Sequence, residues 1–274
     1  MTWIKVEVRT EASRRDALGA WLVARTGQAV EERTDGTLVA YAADESSAEG
    51  LERELRTQDG LTDVARSAMP DVDWTQKWRD GIPTRRIGRL TITPSWLAAS
   101  AGDGPRVVID PETAFGSGEH GSTRAALALL ERHVQPGDRV LDLGSGSGIL
   151  SIAAAVLGAR QAIGIEVDED ANEIAEANAA RNGVADRVRF IFGDAAQLAP
   201  VAGPAEVLCS NILRIVNVAL LPEIRAALVP GGLAIFSGME TAEAGEFREA
   251  LIAHRFNEVD QAVDAGWWAV AARP

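Results

Sequence analysis

A glycine-rich stretch in the middle of the chain has the composition of a loop that binds a nucleotide-like cofactor. Gly144, Gly146 and Gly148 alternate with serines after an apolar run, and glycines let the chain turn sharply and let a ligand approach the backbone. A dinucleotide site requires a further glycine at the sixth position, and Ile149 stands there. Asp142 would also repel a pyrophosphate. The pattern favours a phosphate-free cofactor, and S-adenosylmethionine, which carries an adenosine, an ammonium and a positive sulfonium, fits it.

Carboxylates close the next two predicted strands. Glu166 lies 22 residues after Gly144, at a strand end where a carboxylate can accept hydrogen bonds from both ribose hydroxyls. Asp168 has the position of a cap for the following helix, and in a simpler interpretation both residues only cap and solvate that helix. Asp194 follows the third strand, where its side chain could reach an adenine amino group or only form a turn. We therefore expect Glu166 to bind the ribose and Asp194 to contact the adenine.

Histidine and cysteine offer other chemistry, which the spacing does not favour. His120 is one of three histidines and is an alternative general base, although a histidine in a glycine-rich loop can also simply bond to the backbone. Metal binding by Glu119 and His120 would need distant ligands for which there is no spacing pattern, so no metal site is predicted. Cys209 is the single cysteine and lies in an apolar strand, which predicts a buried, inert thiol.

From residue 139 onward, predicted strands alternate with helices, a pattern that implies a parallel sheet with helices on both faces. The strands are predicted at residues 139–145, 161–168, 188–195, 206–213, 233–239, 257–263 and 267–273. The helices between them are predicted at residues 148–159, 169–183, 216–228 and 242–256. In class I methyltransferases the sheet has seven strands and ends in a hairpin, and the predicted strands follow that order. The predicted fold class is therefore α/β and Rossmann-like.

The first 68 residues predict a separate small domain. A strand at residues 2–9, a helix at 11–26, a hairpin that turns at Asp35-Gly36 and a helix at 46–57 follow one another, and a strand at 61–68 would close the sheet. This order is typical of a ferredoxin-like α+β domain. Residues 69–83, with Trp74 and Trp78 as packing anchors, are predicted to be a linker, and residues 84–274 to be the second domain.

Composition limits the function classes. The chain has 274 residues, of which 46% are hydrophobic and 24% charged, as in a soluble globular protein. Its first twenty residues contain no uninterrupted apolar stretch for a signal peptide or a membrane span. The net charge of −13 argues against binding nucleic acid over the whole surface and favours a basic partner. We expect a cytoplasmic monomer that requires neither a membrane nor direct contact with nucleic acid.

Two further segments of the sequence are distinctive enough to suggest a particular family. Residues 110–123, which contain Ala-Phe-Gly-Ser-Gly-Glu-His, precede the glycine loop, and Ser210-Asn211-Ile212-Leu213 ends the fourth predicted strand. With the glycine loop, residues 237–239 and the connector from residue 74 to 83, they resemble the ribosomal protein L11 methyltransferases of the PrmA type. The resemblance runs in order from residue 74 to the C-terminus, and the small N-terminal domain matches in length and element order.

The resemblance implies a protein N-methyltransferase that uses S-adenosylmethionine and whose N-terminal domain recognises the substrate protein. The cofactor contacts carried over by motif are Thr123, Gly144, Glu166 and Asn211. Gly146 belongs to the same loop as Gly144. The loop around Phe115 would cover the methionine end of the cofactor and exclude water, although Phe115 could equally be ordinary core packing.

The chain departs from the family pattern at four places. Ser145 stands for a usual cysteine, Glu166 for a usual aspartate and Ser117 for a usual threonine, and these changes keep size or chemistry. Gly121-Ser122 stands for a usual proline and threonine. We expect Gly121 to loosen its loop, which would affect substrate positioning more than the type of reaction.

Asn211 is the predicted catalytic residue. Class I enzymes that act on nitrogen place an asparagine or aspartate at this strand end, where its carbonyl can accept the hydrogens of an amine and aim the lone pair without acting as a base. A turn-forming asparagine is the alternative. The resemblance thus implies methylation of lysine or N-terminal amino groups, or both, of ribosomal protein L11.

Three other functions share parts of this pattern. Lysine methyltransferases that act on another protein, such as the electron-transfer flavoprotein β subunit, look similar but generally lack a domain like residues 1–68. A catalytically idle interaction module would bind the cofactor without transferring methyl groups. An NAD-dependent oxidoreductase is disfavoured by Ile149 and Asp142.

Overall fold

The structure is a computed structural model, and it describes residues 4–26, 30–33, 35–58, 60–68, 82–110 and 114–274. The chain divides into two compact units, residues 1–81 and 82–274. Some sequence-based predictions concern residues outside the described ones, namely the strand start around Trp3, the loop residues 111–113 and the packing anchors Trp74 and Trp78.

The described part of the N-terminal unit forms an antiparallel sheet and two α-helices. Its strands and helices are β1 (Ile4–Thr10), α1 (Arg15–Thr26), β2 (Glu31–Glu32), β3 (Leu38–Ala42), α2 (Glu45–Leu55) and β4 (Leu61–Ala68). The described strands lie in the order β2-β3-β1-β4, and β1 pairs antiparallel with both β3 and β4. This arrangement confirms the predicted ferredoxin-like fold.

Alternation along β1 explains where the core of this unit lies. Ile4, Val6 and Val8 are buried and pack in one cluster with Leu22 of α1 and Leu55 of α2. Alternate residues of a strand point to the same side of a sheet, so both helices cover the apolar side of β1.

The second unit contains a seven-stranded sheet flanked by helices. Its elements in chain order are β5 (Arg85–Ile87), β6 (Leu90–Thr93), β7 (Arg106–Val108), α3 (Gly121–His133), β8 (Arg139–Leu143), α4 (Ile149–Val156), β9 (Gln161–Glu166), α5 (Glu169–Arg181), β10 (Val188–Phe192), α6 (Ala195–Ala202), β11 (Ala205–Asn211), α7 (Arg214–Ala219), α8 (Leu221–Ala227), β12 (Leu228–Glu240), α9 (Ala244–Ala253), β13 (Asn257–Asp264) and β14 (Trp267–Arg273). The order of strands in the sheet is β10-β9-β8-β11-β12-β14-β13. The predicted seven-stranded, Rossmann-like sheet is confirmed.

Both faces of this sheet are buried, as its apolar strands predict. Val140 and Leu141 are neighbours in β8 but belong to two different core clusters, one on each face, and Val207 and Leu208 of β11 divide in the same way. Strands β8 to β12 run parallel, whereas β14 and β13 form the closing antiparallel hairpin. Because parallel strands end at the same edge of a sheet, the loops after β8, β9, β10 and β11 lie side by side.

The prediction of a single helix at residues 216–228 is wrong. The structure has two helices there, α7 and α8, which meet at Leu220. Pro222 lies in the first turn of α8. A proline has no N–H for the hydrogen bond to the preceding turn, so it interrupts a helix but is well tolerated where a new one begins.

Helix α6 and the small sheet of β5, β6 and β7 were not predicted from the sequence. The strands of that sheet are only three or four residues long, too short to show a period. Helix α6 has eight residues and contains Pro200, which argues against a helix when only the sequence is considered.

The β13–β14 turn packs against the start of α3. A side chain at Gly121 would place its Cβ 2.6 Å from the Asp264 carbonyl oxygen and 2.7 Å from the Trp267 ring. Arg124, one turn further along α3, bonds to the Asp264 carboxylate at 3.0 and 2.5 Å. The absence of a side chain at Gly121 therefore makes room for Trp267, a role different from the loosening that we expected.

We predict that Gly121→Ala lowers the free energy of unfolding by about 1–3 kcal/mol, because the new methyl group overlaps the Asp264 backbone. Gly245→Ala in α9 is the matched control, since a Cβ there has no neighbour within 4 Å. That change should be neutral or stabilise by up to about 1 kcal/mol, through helix propensity. Urea unfolding of both variants measures the difference, and equal stability of the two would contradict the packing argument.

Candidate functional site

A cavity of about 590 Å³ opens where the parallel strands end. Sites for small molecules typically enclose roughly 300–1,000 Å³, so the volume suits a nucleoside cofactor. Six residues predicted for the site line this cavity: Phe115, Gly144, Gly146, Glu166, Asp194 and Asn211. The tertiary structure thus brings together groups that are up to 96 residues apart in the sequence.

The charge of the cavity wall distinguishes between cofactors. The described residues that line it include the carboxylates of Glu166 and Asp194 and neither lysine nor arginine, and apolar groups form much of the rest. A carboxylate wall attracts a cation and repels a phosphate. The wall therefore fits a cofactor that carries a sulfonium and an ammonium, whereas a pyrophosphate would find no cationic partner among the described residues that line it.

The glycine loop turns tightly at the end of β8. The Gly144 N–H donates to the Ile165 carbonyl of β9 at 2.9 Å, and Gly144 and Gly146 both have positive φ angles, of 69° and 50°. A Cβ at Gly146 would lie 2.5 Å from the Phe115 carbonyl oxygen. Gly146 is therefore needed because a second segment of backbone, around Phe115, crosses the loop at this point.

Glu166 holds the glycine loop from the neighbouring strand. One carboxylate oxygen accepts the Gly146 N–H at 2.9 Å, and the other accepts the N–H groups of Val167 at 2.8 Å and Asp168 at 3.2 Å. Glu166 is half-buried and lines the cavity, so its remaining lone pairs are available to hydroxyl groups of a ligand. The position is suitable for the predicted ribose contact.

The two predicted aspartates cap helices. Asp168 accepts the Asp170 N–H at the start of α5, which confirms its predicted capping role. Asp194 accepts the Ala196 N–H at the start of α6 and also lines the cavity. Asp194 thus combines the two alternatives, a local cap and a carboxylate within reach of a ligand.

Asp142 does not act as the sequence suggested. Its side chain is 1% exposed, and one oxygen accepts hydrogen bonds from the Ser151 N–H at 3.1 Å and the Ser151 hydroxyl at 2.9 Å. Burial, reinforced by the negative charge of Glu166, raises the pKa of Asp142 to about 7. Asp142 therefore anchors α4 beneath the glycine loop, and the negative charge in the cavity wall belongs to Glu166 and Asp194.

Asn211 presents an amide oxygen without a partner. Its Nδ2 donates to the Thr123 hydroxyl at 3.3 Å, while its buried Oδ1 has no hydrogen-bond partner among the described residues. Thr123 is fully buried and is absent from the cavity wall, so its connection with the site runs through Asn211. An unpaired buried acceptor is costly, and it is free to accept a hydrogen from a ligand.

A network that the sequence analysis missed supports the loop after Asn211. Asn217 of α7 is fully buried, accepts the Ser210 hydroxyl at 2.6 Å, and donates to the carbonyls of Ile212 at 3.0 Å and Ser237 at 2.9 Å. These bonds fix the strand ends of β11 and β12 on either side of Asn211. No short-range pattern indicates this role, because the partners lie 5 to 20 residues away along the chain.

Aromatic rings form another part of the wall. His120 lies between Phe115 and Trp267, with ring centroids 5.2 and 4.3 Å away, and all three residues line the cavity. Phe115 is 56% exposed, so its alternative assignment to the core is wrong. Trp267 was not predicted, since only the β13–β14 turn brings it to α3.

The surroundings of His120 favour its neutral form. Its Nδ1 lies 2.8 Å from the Ser122 hydroxyl oxygen, and burial together with the Arg124 charge lowers the pKa of His120 below its usual value. A neutral imidazole does not repel a cationic ligand, and it can accept a proton.

Other chemistry has less support in the structure. Cys209 is fully buried, and burial raises the pKa of its thiol well above the usual value, which confirms the predicted inert cysteine. Within the described part of the chain, no group of three or more His, Cys, Asp or Glu side chains is placed to hold a metal ion.

No helix formed by the described residues is long and apolar enough to cross a membrane.

We predict that Glu166→Ala weakens binding of S-adenosylhomocysteine by about 1–3 kcal/mol, through loss of charge-assisted hydrogen bonds. Isothermal titration calorimetry measures the change. Glu169→Ala, an exposed carboxylate at the start of α5, is the control and should bind as the wild type does. An unchanged dissociation constant for Glu166→Ala would remove Glu166 from the cofactor site.

We predict that the stability of the protein depends on pH through Asp142. The folded protein keeps the Asp142 proton up to pH about 7, whereas the unfolded chain releases it near pH 4. The free energy of unfolding therefore falls as pH rises from 4 to 7, by at most about 4 kcal/mol, and levels off above pH 7. Asp142→Asn removes this contribution, so the variant gains stability relative to the wild type over the same range.

Urea unfolding at pH 4.5, 6 and 8 tests this dependence. Asp103→Asn, which changes an exposed carboxylate, should follow the wild-type profile. Parallel profiles for Asp142→Asn and the wild type would show that the Asp142 carboxyl is not protonated in the folded state.

Comparison with known proteins agrees with this geometry. The family model for ribosomal protein L11 methyltransferase (PrmA) matches residues 6–274. A ribosomal protein L11 methyltransferase from Thermus thermophilus is 40% identical over 197 residues, which cover 72% of this chain and 76% of the relative. The protein of the same name from Pelotomaculum thermopropionicum is 39% identical over 212 residues, or 77% of this chain and 68% of the relative.

A solved structure is also similar. The crystal structure of a ribosomal protein L11 methylase from Lactobacillus delbrueckii subsp. bulgaricus has a TM-score of 0.61 and 29% sequence identity, and it covers 70% of this chain and 98% of that one. The family model matches almost the whole length of the chain. This match agrees with the fold and the cavity, and it establishes the family. The chain belongs to the ribosomal protein L11 methyltransferase (PrmA) family and is a methyltransferase that uses S-adenosylmethionine.

Proposed function

We propose that this protein transfers methyl groups from S-adenosylmethionine to lysine or N-terminal amino groups, or both, of ribosomal protein L11. The observation that carries the proposal is that Asn211 lines the cavity and that its buried Oδ1 has no hydrogen-bond partner among the described residues. A methyltransferase that acts on an amine needs an acceptor for the hydrogens of that amine at this place. The names of the relatives support L11 as the substrate.

The cofactor would be held by groups from four loops. When bound, S-adenosylmethionine supplies a methyl group on a positively charged sulfur. Glu166 would accept the ribose hydroxyls, Asp194 would accept from the adenine amino group, and the backbone of Gly144 and Gly146 would lie along the methionine part. Phe115 would cover that part and exclude water, which strengthens each polar contact inside the cavity.

The acceptor amine must lose its proton before its lone pair can attack. At pH 7 this costs about 1 kcal/mol for an α-amino group with a pKa near 8 and about 4–5 kcal/mol for a lysine with a pKa near 10.4. The apolar wall lowers the cost, because desolvation disfavours the charged amine. Neutral His120 is a candidate to receive the proton, since its ring lines the same cavity.

Asn211 would then orient the neutral amine. Its Oδ1 accepts one of the amine hydrogens, and the direction of that bond sets the direction of the lone pair. The hydrogen bond from Nδ2 to the Thr123 hydroxyl would hold the amide in place and leave Oδ1 for the hydrogens of the amine. In this role Asn211 is a hydrogen-bond acceptor and not a base.

The N-terminal unit would recognise the substrate protein. We assign residues 1–68 to this task and residues 69–83 to the connection with the methyltransferase domain, residues 84–274. The net charge of −13 complements a basic ribosomal protein. We further propose that the protein works as a monomer in the cytoplasm and that it contacts its substrate without nucleic acid.

We predict that the protein, incubated with methyl-labelled S-adenosylmethionine and ribosomal extract, labels L11. Asn211→Ala should lower kcat by about 10²–10³-fold, the usual effect of removing one positioned hydrogen-bonding group, because the amine is no longer oriented. Its dissociation constant for S-adenosylhomocysteine, measured by calorimetry, should stay within about threefold of the wild type if Asn211 acts on the amine, and a larger increase would show that Asn211 also holds the cofactor, as the family motif implies. Asn257→Ala, an exposed asparagine at the start of β13, should keep full activity.

The outcomes separate the alternatives. Label confined to another protein would refute L11 as the substrate and leave the chemistry intact. Tight binding of S-adenosylhomocysteine without labelling of any protein would indicate an interaction module. Full activity of Asn211→Ala would remove Asn211 from catalysis.

A further inference from the structure

The segment from residue 114 to 120 lies against the glycine loop, and Ser147 joins the two. The Ser147 N–H donates to the Phe115 carbonyl at 2.8 Å, and the Ser147 hydroxyl donates to the Gly116 carbonyl at 2.7 Å. Ser147 is 2% exposed, so water does not compete for these bonds. One residue of the cofactor loop thus satisfies two successive carbonyls of the segment that carries Phe115.

Helix α5 supports Ser147 from the opposite side. The fully buried Asn178 donates its Nδ2 to the Ser147 carbonyl at 3.0 Å. Arg181, one turn later, donates to the Asn178 Oδ1 and lies 3.6 Å from the Asp110 carboxylate. A chain of polar contacts therefore runs from Asp110 through α5 and Ser147 to Gly116.

Packing leaves the segment little freedom near Ser147. A Cβ at Gly116, whose φ is 108°, would lie 2.7 Å from the Ser147 hydroxyl oxygen, and one at Gly118 would lie 3.0 Å from Ile92. With its backbone held on this side, the segment turns the Phe115 ring towards the cavity, where the ring meets His120.

Other contacts hold the far end of the segment. Glu119 accepts two hydrogen bonds from Arg85 of β5, at 2.8 and 2.6 Å, and its carbonyl accepts from Arg124. Loss of the Ser147 hydroxyl would therefore free the Gly116 carbonyl and leave Phe115 with only the bond from the Ser147 N–H, while the Glu119 end stays attached.

We propose that Ser147 is a positioning residue for methyl transfer, because its hydroxyl holds the Gly116 carbonyl against the cofactor loop, next to Phe115, and so keeps the Phe115 ring over the reacting groups. The inference rests on the proposed function for the reaction that it serves. Ser147 acts through Phe115 and touches neither cofactor nor substrate in this role. Its removal should affect orientation and water exclusion more than cofactor affinity, since Glu166 and Asp194 remain in place.

Ser145 provides a matched control in the same loop. Its side chain is 5% exposed, like that of Ser147, but its hydroxyl has no hydrogen-bond partner among the described residues. A side chain at Gly164 would come within 2.7 Å of that hydroxyl, so Ser145 points towards β9. Ser145→Ala removes an unsatisfied group, whereas Ser147→Ala removes one that is bonded to Gly116.

The first experiment compares the two variants in kcat, in the dissociation constant for S-adenosylhomocysteine and in thermal unfolding. We expect Ser147→Ala to lower kcat at least tenfold and to change the dissociation constant less than threefold, and Ser145→Ala to leave both unchanged. Ser147→Cys keeps the size and a weak donor, so its kcat should lie between those of serine and alanine. Equal kcat values for Ser147→Ala and Ser145→Ala would overturn the proposal, as would a loss that follows the unfolded fraction alone.

A second measurement does not depend on methyl transfer. Hydrogen–deuterium exchange of residues 114–118, with S-adenosylhomocysteine bound, should be faster in Ser147→Ala and unchanged in Ser145→Ala. Unchanged exchange in Ser147→Ala would refute the positioning role even if L11 is methylated. Faster exchange in a protein that leaves L11 unlabelled would support the contact and refute the proposed function.

A double-variant cycle tests whether Ser147 acts through Phe115. If it does, Phe115→Ala combined with Ser147→Ala should lower kcat little more than Phe115→Ala alone. Additive losses of kcat would show that Ser147 acts elsewhere and would overturn the proposal.

Discussion

The close approach of two backbones, at Gly146 and Phe115, is the constraint on which the site depends. A Cβ at Gly146 would lie 2.5 Å from the Phe115 carbonyl oxygen, so only glycine allows the segment before α3 to lie on the cofactor loop. That contact brings Phe115 and His120 to the cavity. It also sets the start of α3, whose Thr123 bonds to Asn211 from β11.

The charged side chains in the cavity wall beside this contact are negative. Glu166 holds the Gly146 N–H and contributes negative charge to a wall that, among the described residues, has neither lysine nor arginine. Asp142, which is buried beneath the loop, has a pKa of about 7 and contributes less charge than its position in the sequence suggests. The same carboxylate therefore orders the loop and places negative charge in the cavity wall, so loop structure and cavity charge are coupled at Glu166.

The hydrophobic periodicity of the sequence predicted most strands and helices of the sheet. It did not predict which distant side chains are in contact. The strands around Val140 and Val207 were predictable because apolar runs between glycine-rich turns can only be buried parallel strands in this pattern. Pro222 is a sequence signal for the break between α7 and α8. It was overlooked because apolar residues keep a helical spacing on both sides of it. Asn217 and Trp267 gave no local signal, since their partners are set by the sheet order and by the β13–β14 turn.

The sequence by itself determined the α/β fold, the small N-terminal domain, the glycine loop and the carboxylate and amide at the strand ends, because each depends on residues close together in the chain. Only the tertiary structure decided that Thr123 lies behind Asn211, that Asp142 lies beneath the loop, and that Gly121 makes room for a tryptophan ring. Those facts depend on which side chains meet across the sheet edge, and such meetings follow from packing among distant segments, which no short-range pattern encodes.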